Sequence, residues 1–487
     1  MAMSVTDPEQ WYAAYEAASA KQQYDMLLET MSHPLTPEFI EDIDLGMLLA
    51  MMRDELVNHN LVDQAATLIR ALRQRQPELH QQEFPFLNST LVQYDLYRND
   101  FEQVKADLEP FTLHPAEDVD QTFVILDYLK LFDATDLAID LCCKSYDPIR
   151  TSPNAVLGAE MKLSSVLLNH WTQQAYQDLK AGNPVDWEAF LEQAVQYGFR
   201  KKPKWVAEIQ QNLTAKVVSD PGFFATFKRS YQETLQSLSI AFCREMLEQK
   251  QISFICGAAI WDAVCDFLES REISRKKLAQ PEVLFSFTQE ELDRYAAQRI
   301  DSLLSMQQAV GVALLWGIPY VYDFLRSRQI ISETIHQDAI AFSTNVKAIF
   351  IEGEPQLWKY DFVHRWLPPD SISQTEFDEE SQQFAASLEP VTPLGDEPGQ
   401  GVTHQSFIDS IKQQLPPDLV TALEQMEEAD GFEDEDLDDG GELDTADWVE
   451  PSVSPFQPIE PAKPRKSALR LAAELPEKGK KLPKKKR

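Results

Sequence analysis

The C-terminal end of the chain reverses its charge, and this excludes it from any folded core. Residues 424–450 hold fourteen acidic residues and no Lys or Arg, whereas residues 463–487 hold eleven basic residues against two acidic ones. Blocks of like charge repel themselves and carry too few apolar side chains to offset the entropy of folding. Prolines also punctuate the chain after Trp366, beginning with Pro368 and Pro369. We therefore expect residues 368–487 to be a largely disordered tail.

The rest of the chain has the composition of an acidic helical protein. The apolar fraction of 44% suffices for a core, and the 16 glycines are few for the turns of a β architecture. The net charge is −35, of which residues 1–423 carry −29. A body this acidic repels phosphate backbones, so only the basic end is suited to nucleic acid.

The sequence predicts the starts of several helices. Asp7-Pro8 and Thr36-Pro37 each combine a capping side chain with proline at the first helical position. Thr288 and Glu291 form a capping-box pattern. For residues 346–351 the sequence allows either an isolated strand or the end of a helix that terminates at Gly353.

Three segments in the first 150 residues are alike: Asn60–Ala66, Asn99–Lys105 and Asp133–Ile139. Each opens a helix that follows another amphipathic helix. Aligned on Ala65, Val104 and Ala138, the segments recur after 39 and then 34 residues, and a proline is expected to end each unit, at Pro77, Pro115 and Pro148.

This pattern resembles a degenerate tetratricopeptide repeat over about residues 40–150. In that family a small residue early in the second helix lets the two helices approach. Ala65 and Ala138 match it, whereas Val104 departs from it, and Arg53 stands where the first helix would carry its small residue. The resemblance implies stacked helix hairpins with a concave binding face, a mostly non-catalytic class; a generic helical bundle is the alternative.

We thus predict an all-α fold in three parts. A helix-hairpin solenoid would occupy residues 1–152, and a larger, irregular helical domain residues 153–367. The disordered tail, 368–487, would contain the acidic segment 424–450 and the basic segment 463–487, with short helices near 404–415 and 418–426.

No motif points to catalysis or to a cofactor. Phosphate-binding loops, dinucleotide-binding glycines and paired zinc ligands are all missing from the sequence. Glu333 and His336 could place two metal ligands on one helix face, but a surface Glu beside a partly buried His is the commoner case. We expect no metal, no organic cofactor and no enzyme activity.

Two further groups of polar residues have alternative interpretations. Asp361 and His364, beside Trp366, could form a small polar cleft or belong to a segment that packs its aromatic rings. Asp262 and Asp266 lie in an apolar helix. They are either buried acids with raised pKa values or solvent-facing acids on an amphipathic helix.

Cysteine usage and the N-terminus indicate a cytoplasmic protein, with a nuclear location as the alternative. The five cysteines are odd in number, form no CxxC pair and are expected to be buried, reduced thiols. No signal peptide is recognisable. The longest apolar run, residues 309–322, is too short for a membrane span and predicts a buried core helix, so we expect no transmembrane segment.

The tail carries the candidate binding residues. Phe432 and Trp448 set aromatic rings in the acidic segment, a pattern that docks on basic, grooved partners. The basic segment would contact a polyanion (RNA, DNA, a ribosome or an anionic membrane surface) or serve as a nuclear localisation signal, which its last residues resemble. Its candidate residues are Lys463, Arg465, Lys466, Lys484, Lys485, Lys486 and Arg487.

The function we expect is that of a non-catalytic adaptor or scaffold. Its helical body would bind protein partners, and its charged tail would contact a second one. A nucleic-acid- or ribosome-associated factor targeted by the basic end is the first alternative. An all-helical enzyme without recognisable motifs is the second, and a deep pocket with convergent ionisable groups would favour it.

Overall fold

Every regular element in the described part of the chain is helical, as the sequence predicts. The structure is a computed structural model that describes residues 7–153, 155–217, 219–300, 306–390, 393–397 and 401–403. All of them belong to one unit, Met1–Val420.

The described residues of the first third of the chain form nine helices. They are α1 (Pro8–Ala17), α2 (Ala20–Met31), α3 (Pro37–Asp42), α4 (Leu45–Asn58), α5 (Val62–Arg75), α6 (Pro77–Tyr97), α7 (Phe101–Leu113), α8 (Val119–Leu131) and α9 (Thr135–Thr151).

Twelve α-helices and two irregular turns follow in the part of the chain that the structure describes. They are α10 (Glu160–Ala181), α11 (Trp187–Gln196), α12 (Pro203–Thr214), α13 (Pro221–Arg229), α14 (Tyr231–Glu245), a π-helical turn (Met246–Lys250), α15 (Phe254–Ser270), α16 (Arg275–Leu278), α17 (Pro281–Leu284), α18 (Gln289–Ile300), α19 (Gln308–Ser327), α20 (Glu333–Gly353), a 3₁₀ segment (Leu357–His364) and α21 (Gln374–Ala386).

The helix starts read from the sequence are confirmed. Asp7 and Thr36 accept backbone hydrogen bonds at the starts of α1 and α3, each with proline in the first turn. Thr288 and Glu291 form the capping box before α18. The helical interpretation of residues 346–351 is confirmed and the strand is wrong, since these residues form the last turns of α20.

Three helix pairs, α4–α5, α6–α7 and α8–α9, turn through the same backbone geometry. Asn60, Asn99 and Asp133 each adopt a left-handed conformation, with φ of 56°, 57° and 56°. Asn and Asp tolerate this region better than other residues with a Cβ atom. In each turn the next residue's N–H bonds the carbonyl five positions back, as from Leu61 to Leu56. The three pairs are therefore helical hairpins with matching turns, and α6 contacts both α4 and α8.

The aligned positions Ala65, Val104 and Ala138 are each 0% exposed, five residues after their turns. The proposed closing prolines are less uniform. Pro77 begins α6 and Pro115 follows α7, but Pro148 lies inside α9, which continues to Thr151. The expectation that Pro148 ends its unit is therefore wrong.

The centre of the fold is the pair α15 and α19. Gly317 of α19 lies so close to α15 that a Cβ atom there would come within 2.8 Å of Ile260 Cγ2. Helix α19 is long and apolar enough to span a membrane, but 89% of its apolar window is buried in this structure. The prediction of a buried core helix at residues 309–322 is confirmed.

The turn side chains of the three hairpins hold elements from the second half of the chain. Asn60 Nδ2 donates to the Ser387 carbonyl at 2.7 Å, just after α21. Asn99 accepts from Arg365, which also donates to the Tyr97 carbonyl at 2.6 Å. These contacts fix the C-terminal helices against the hairpins.

The third turn holds the start of α15. Asp133 accepts hydrogen bonds from both the backbone N–H and the hydroxyl of Ser253, the capping residue of that helix. One buried apolar cluster runs from Phe84 to Phe384, across the boundary expected after residue 152. The hairpins and the later helices therefore share a core.

The expectation that nothing after residue 367 is buried is wrong. Helix α21 buries Phe384 completely, and Phe377 lies seven residues earlier on the same face. The His364 ring packs against both, with ring centroids 4.5 and 5.1 Å apart. Burial, with a smaller effect from Lys347, lowers the pKa of His364 to about 3, so this contact is made by the neutral ring.

Residues 393–397 and 401–403 also contact the body, against the first helices. The buried amide of Gln23 accepts from the Val402 N–H at 2.7 Å and donates to its carbonyl at 3.2 Å. Gly401 leaves room for this contact, because a Cβ atom there would collide with the Gln23 amide. Leu394 is buried among the apolar residues of the first helices.

The folded body should therefore need the chain as far as residue 403. We expect a chain ending at residue 403 to melt at the same temperature as the full chain, and one ending at 367 to melt lower or aggregate. Losing the Phe384 side chain alone should lower stability by about 3–5 kcal/mol. Thermal unfolding followed by circular dichroism measures this, and equal melting of the two truncated chains would contradict it.

Enlarging the buried alanines of the hairpins should also destabilise the body. We expect Ala65→Leu and Ala138→Leu each to cost about 1–3 kcal/mol, because the helices have no room for the added atoms. Lys105→Leu, at an exposed site next to Val104, is the matched control. Denaturant titration of the three variants tests the burial assigned to these positions.

Candidate functional site

Helices α8, α10, α15 and α19 enclose a cavity with charged walls, of about 460 Å³. Its ionisable residues are Asp127 and Lys130 of α8, Lys162 of α10, Asp262 and Asp266 of α15, and Arg299 of α18. Leu131, Val166, Ile255, Ala259, Ala263, Val310 and Ala313 supply apolar surface. We call this space the charged cavity.

One wall of the charged cavity is an ion-pair network centred on Asp127. Its carboxylate lies 2.6 Å from Lys130 Nζ and 3.0 Å from Lys162 Nζ. Burial acts to raise the pKa of Asp127, but the two lysines outweigh it and hold the pKa below its usual value. Asp127 thus neutralises much of the positive charge on this wall.

The opposite wall carries two carboxylates that remain unpaired. Asp262 and Asp266 are one helical turn apart, and neither makes a hydrogen bond or ion pair with a described residue. Both side chains are exposed to solvent. Burial raises the pKa of Asp262 to about 6 and also raises that of Asp266.

Because both side chains are exposed, the interpretation as buried acids is wrong and the solvent-facing one is confirmed, although the surrounding protein still raises the pKa of each carboxyl. Helix α15 is buried around most of its circumference, so it has no broad polar face toward bulk solvent. The carboxylates instead reach solvent in the charged cavity, which Asn169 of α10 also lines.

A second recess, of about 240 Å³, runs along the first helices of the three hairpins. The residues facing it recur at helical spacing: Arg53, Asp54 and Val57 of α4, Phe86, Ser89, Thr90 and Gln93 of α6, and Gln121, Val124, Asp127 and Tyr128 of α8. Lys359 and the start of α19 face them from the other side. We call this recess the hairpin groove.

Lys359 is the charged residue of the hairpin groove that has no ion-pair partner among the described residues. Its Nζ lies 6.0 Å from the centroid of the Trp358 ring but forms no ion pair or hydrogen bond with a described residue. Burial lowers the pKa of Lys359 more than nearby Glu354 and Asp54 raise it. Arg53, by contrast, is held by Asp54 at 2.6 Å. Phe86 is 50% exposed and Met306 45%, which leaves apolar surface beside the ammonium group.

Glu333 and His336 do not converge. His336 is buried, and its Nε2 lies 2.7 Å from Asp323 Oδ1 of α19, whereas Glu333 is exposed near Arg326. Among the described residues no group of three or more His, Cys, Asp or Glu side chains could hold a metal ion. The expectation that the protein needs no metal or cofactor stays a prediction.

The polar cleft near Trp366 is not formed by the residues that suggested it. Asp361 pairs with Arg365 at 3.1 Å, and His364 packs among phenylalanine rings. Trp366 Nε1 donates to the Leu131 carbonyl at 3.1 Å. The aromatic-packing interpretation is confirmed.

The cysteines are unbridged. Cys142, Cys243, Cys256 and Cys265 are buried, and burial raises the pKa of each thiol. Cys143 is exposed, so the expectation that all five thiols are buried is wrong for it.

The candidate binding residues of the tail lie outside the described residues. These are Phe432, Trp448, Lys463, Arg465, Lys466, Lys484, Lys485, Lys486 and Arg487, and the short helices expected near 404–415 and 418–426 lie there as well. Their predicted roles stay predictions.

Sequence reasoning missed Asp127, Lys130, Lys162 and Lys359. A signal was available for the first two, because they interrupt an otherwise apolar run in α8 with opposite charges three residues apart. Lys162 lies in the first turn of α10 and Lys359 among aromatic residues, and both become recessed only by tertiary packing. No protein-family model, curated protein or solved structure matches this chain.

The unpaired carboxylate of Asp262 should make stability depend on pH. Its pKa is raised on folding, so between about pH 4 and 6 the folded state holds a proton that the unfolded state has released, and stability falls as pH rises. We expect Asp262→Asn to stabilise the body at pH 7.5 by about 1 kcal/mol, a figure reduced for the solvent in the cavity, and to change little at pH 4.

The matched control is Asp338→Asn, which removes an exposed carboxylate of α20. Denaturant titrations at the two pH values should separate the variants. An equal response of both to pH would show that Asp262 is solvated like a surface acid.

Proposed function

We propose that the protein is a non-catalytic scaffold whose helical body binds a partner protein in the hairpin groove. The observation that carries the proposal is the unpaired ammonium of Lys359 beside the half-exposed Phe86. A recessed charge without a partner destabilises the fold, and an apolar side chain left in a groove gains free energy when covered. A partner that supplies a carboxylate and an apolar side chain satisfies both.

The three hairpins support this proposal as degenerate repeats of the tetratricopeptide type. Their turns recur after 39 and 34 residues with one backbone geometry, and their first helices present successive faces to one groove. Repeat hairpins of this kind bind extended segments along the surface that their stacking creates.

The negative charge of the body limits which partner segments can bind in the hairpin groove. Residues 1–423 carry −29, which repels a segment that is acidic throughout. We expect a segment with one acidic residue beside an apolar one, within an otherwise neutral or basic sequence.

The tail would provide the second contact of the scaffold. Its acidic segment, with Phe432 and Trp448, is suited to a basic partner, and residues 463–487 to a polyanion. The unbridged cysteines support a cytoplasmic location for such a protein. Three alternatives remain: a nuclear location, a nucleic-acid- or ribosome-associated factor, and an all-helical enzyme. An enzyme would require several ionisable groups that converge in one pocket, and the charged cavity contains such groups.

Quantitative capture from native lysate, with the full chain as bait, tests the groove. We expect Phe86→Ala and Lys359→Gln each to reduce recovery of the captured partner by about tenfold, since each removes one of the two contacts. Phe101→Ala, which removes a phenylalanine 45% exposed on α7, should leave recovery unchanged.

Circular dichroism should show all three variants folded. The groove is refuted as the binding surface if Phe101→Ala and the two groove variants retain the partner equally, or lose it equally.

A further inference from the structure

A tight turn between α9 and α10 exposes two consecutive apolar side chains, Val156 at 81% and Leu157 at 98%. The Val156 carbonyl accepts from the Ala159 N–H at 2.9 Å, and Gly158, with φ of 86°, holds the third position of the turn. Ala155 and Ala159 pack against the apolar cluster that the hairpins share with the later helices. The turn is therefore anchored at both ends, and Leu157 projects from it into solvent.

A run of basic residues lies just before α12. Arg200, Lys201, Lys202 and Lys204 are all exposed. Of these four, only Lys204 forms an ion pair with a described residue, at 3.4 Å from Glu208. The run is thus a local excess of positive charge on a body that is strongly acidic elsewhere.

Packing places the basic run next to the apolar turn. Gly198 precedes the run, and a Cβ atom there would lie 2.8 Å from Tyr146 Oη of α9 and 3.6 Å from Met161 Sδ of α10. The Met161 N–H in turn donates to the Gly158 carbonyl at 3.0 Å, so Met161 adjoins the turn. The two features therefore share one surface. We call it the basic apolar patch, and its residues are Val156, Leu157, Arg200, Lys201 and Lys202.

The chemistry of the patch favours an anionic lipid surface as its partner. A projecting leucine needs a partner that encloses it, and the interfacial region of a bilayer does so without a preformed groove. Lysine and arginine beside it are attracted to anionic headgroups. A nucleic acid would also contact these cations, but its bases stack on aromatic rings and its backbone offers no site for an aliphatic side chain.

We propose that the basic apolar patch binds the surface of an anionic membrane, with Val156 and Leu157 inserted between the lipids and the basic run against their headgroups. The negative charge of the rest of the body opposes this binding, but charges farther than about 8 Å are screened at physiological salt. The binding is therefore weak, reversible and local to the patch. It is independent of the hairpin groove, because it uses neither Phe86 nor Lys359.

A dye at the tip of the turn tests insertion directly in the full chain. Leu157→Cys carries an environment-sensitive, thiol-reactive fluorophore in a Cys143→Ser background, which removes the exposed natural thiol. We expect its emission to shift to the blue with vesicles of phosphatidylcholine that contain about 30% phosphatidylserine, and not with phosphatidylcholine alone. The same dye at Leu113→Cys, a leucine 66% exposed at the end of α7, should not shift.

A pair of lysine substitutions tests the charge of the patch. Lys201→Gln and Lys202→Gln together should raise the vesicle concentration at half-maximal shift by about tenfold. The matched control is Lys276→Gln with Lys277→Gln, another adjacent pair of exposed lysines, which should leave it unchanged. The basic segment 463–487 is present in every variant, so its own attraction to the vesicles cancels from the comparison.

All the substituted side chains are exposed, so circular dichroism should show every variant folded like the unsubstituted chain. The proposal fails if the dye at residue 157 does not shift with anionic vesicles, or shifts equally with neutral ones. It also fails if the dyes at residues 113 and 157 respond alike, or if the two lysine pairs do. A short single-stranded RNA that shifts the dye at residue 157 when vesicles do not would identify a nucleic-acid surface instead, and would likewise overturn it.

Discussion

Three side chains in left-handed turns hold the two halves of the body together. The tight hairpin turns favour Asn or Asp at residues 60, 99 and 133, because these residues adopt positive φ at the lowest cost among those with a side chain. The same polar groups then bond the end of α21, Arg365 and the start of α15. The turn chemistry of the hairpins thereby also sets the position of the later helices.

This arrangement explains why hairpins and core helices share one apolar cluster. Once Asp133 caps α15 through Ser253, that helix lies against α8, and α19 packs on it through the close approach at Gly317. Both recesses lie at this junction, with Asp127 lining each of them. The candidate sites are a product of how the halves meet.

The charged groups at the junction are unevenly compensated. Asp127 has two cations within 3.0 Å, whereas Asp262, Asp266 and Lys359 form no ion pair with a described residue. A fold selected for stability alone would pair such charges or replace them with apolar side chains. A recessed charge without an ion-pair partner, as at Lys359, is typical of sites that bind ligands or partners.

The sequence by itself determined the all-helical class, the first residues of several helices and the burial of Ala65, Val104 and Ala138. Capping, proline placement and apolar spacing are local, so they can be read along the chain. It did not show that α21, Leu394 and Val402 join the folded body. Phe377 and Phe384 lie in a mostly polar helix, and the rings that they pack against, His364 and, for Phe384, also Trp316, belong to other elements. Nor could it show which carboxylates face a cavity. The face of an apolar helix that meets solvent is decided by the helices packed around it, and only the tertiary structure specifies those neighbours.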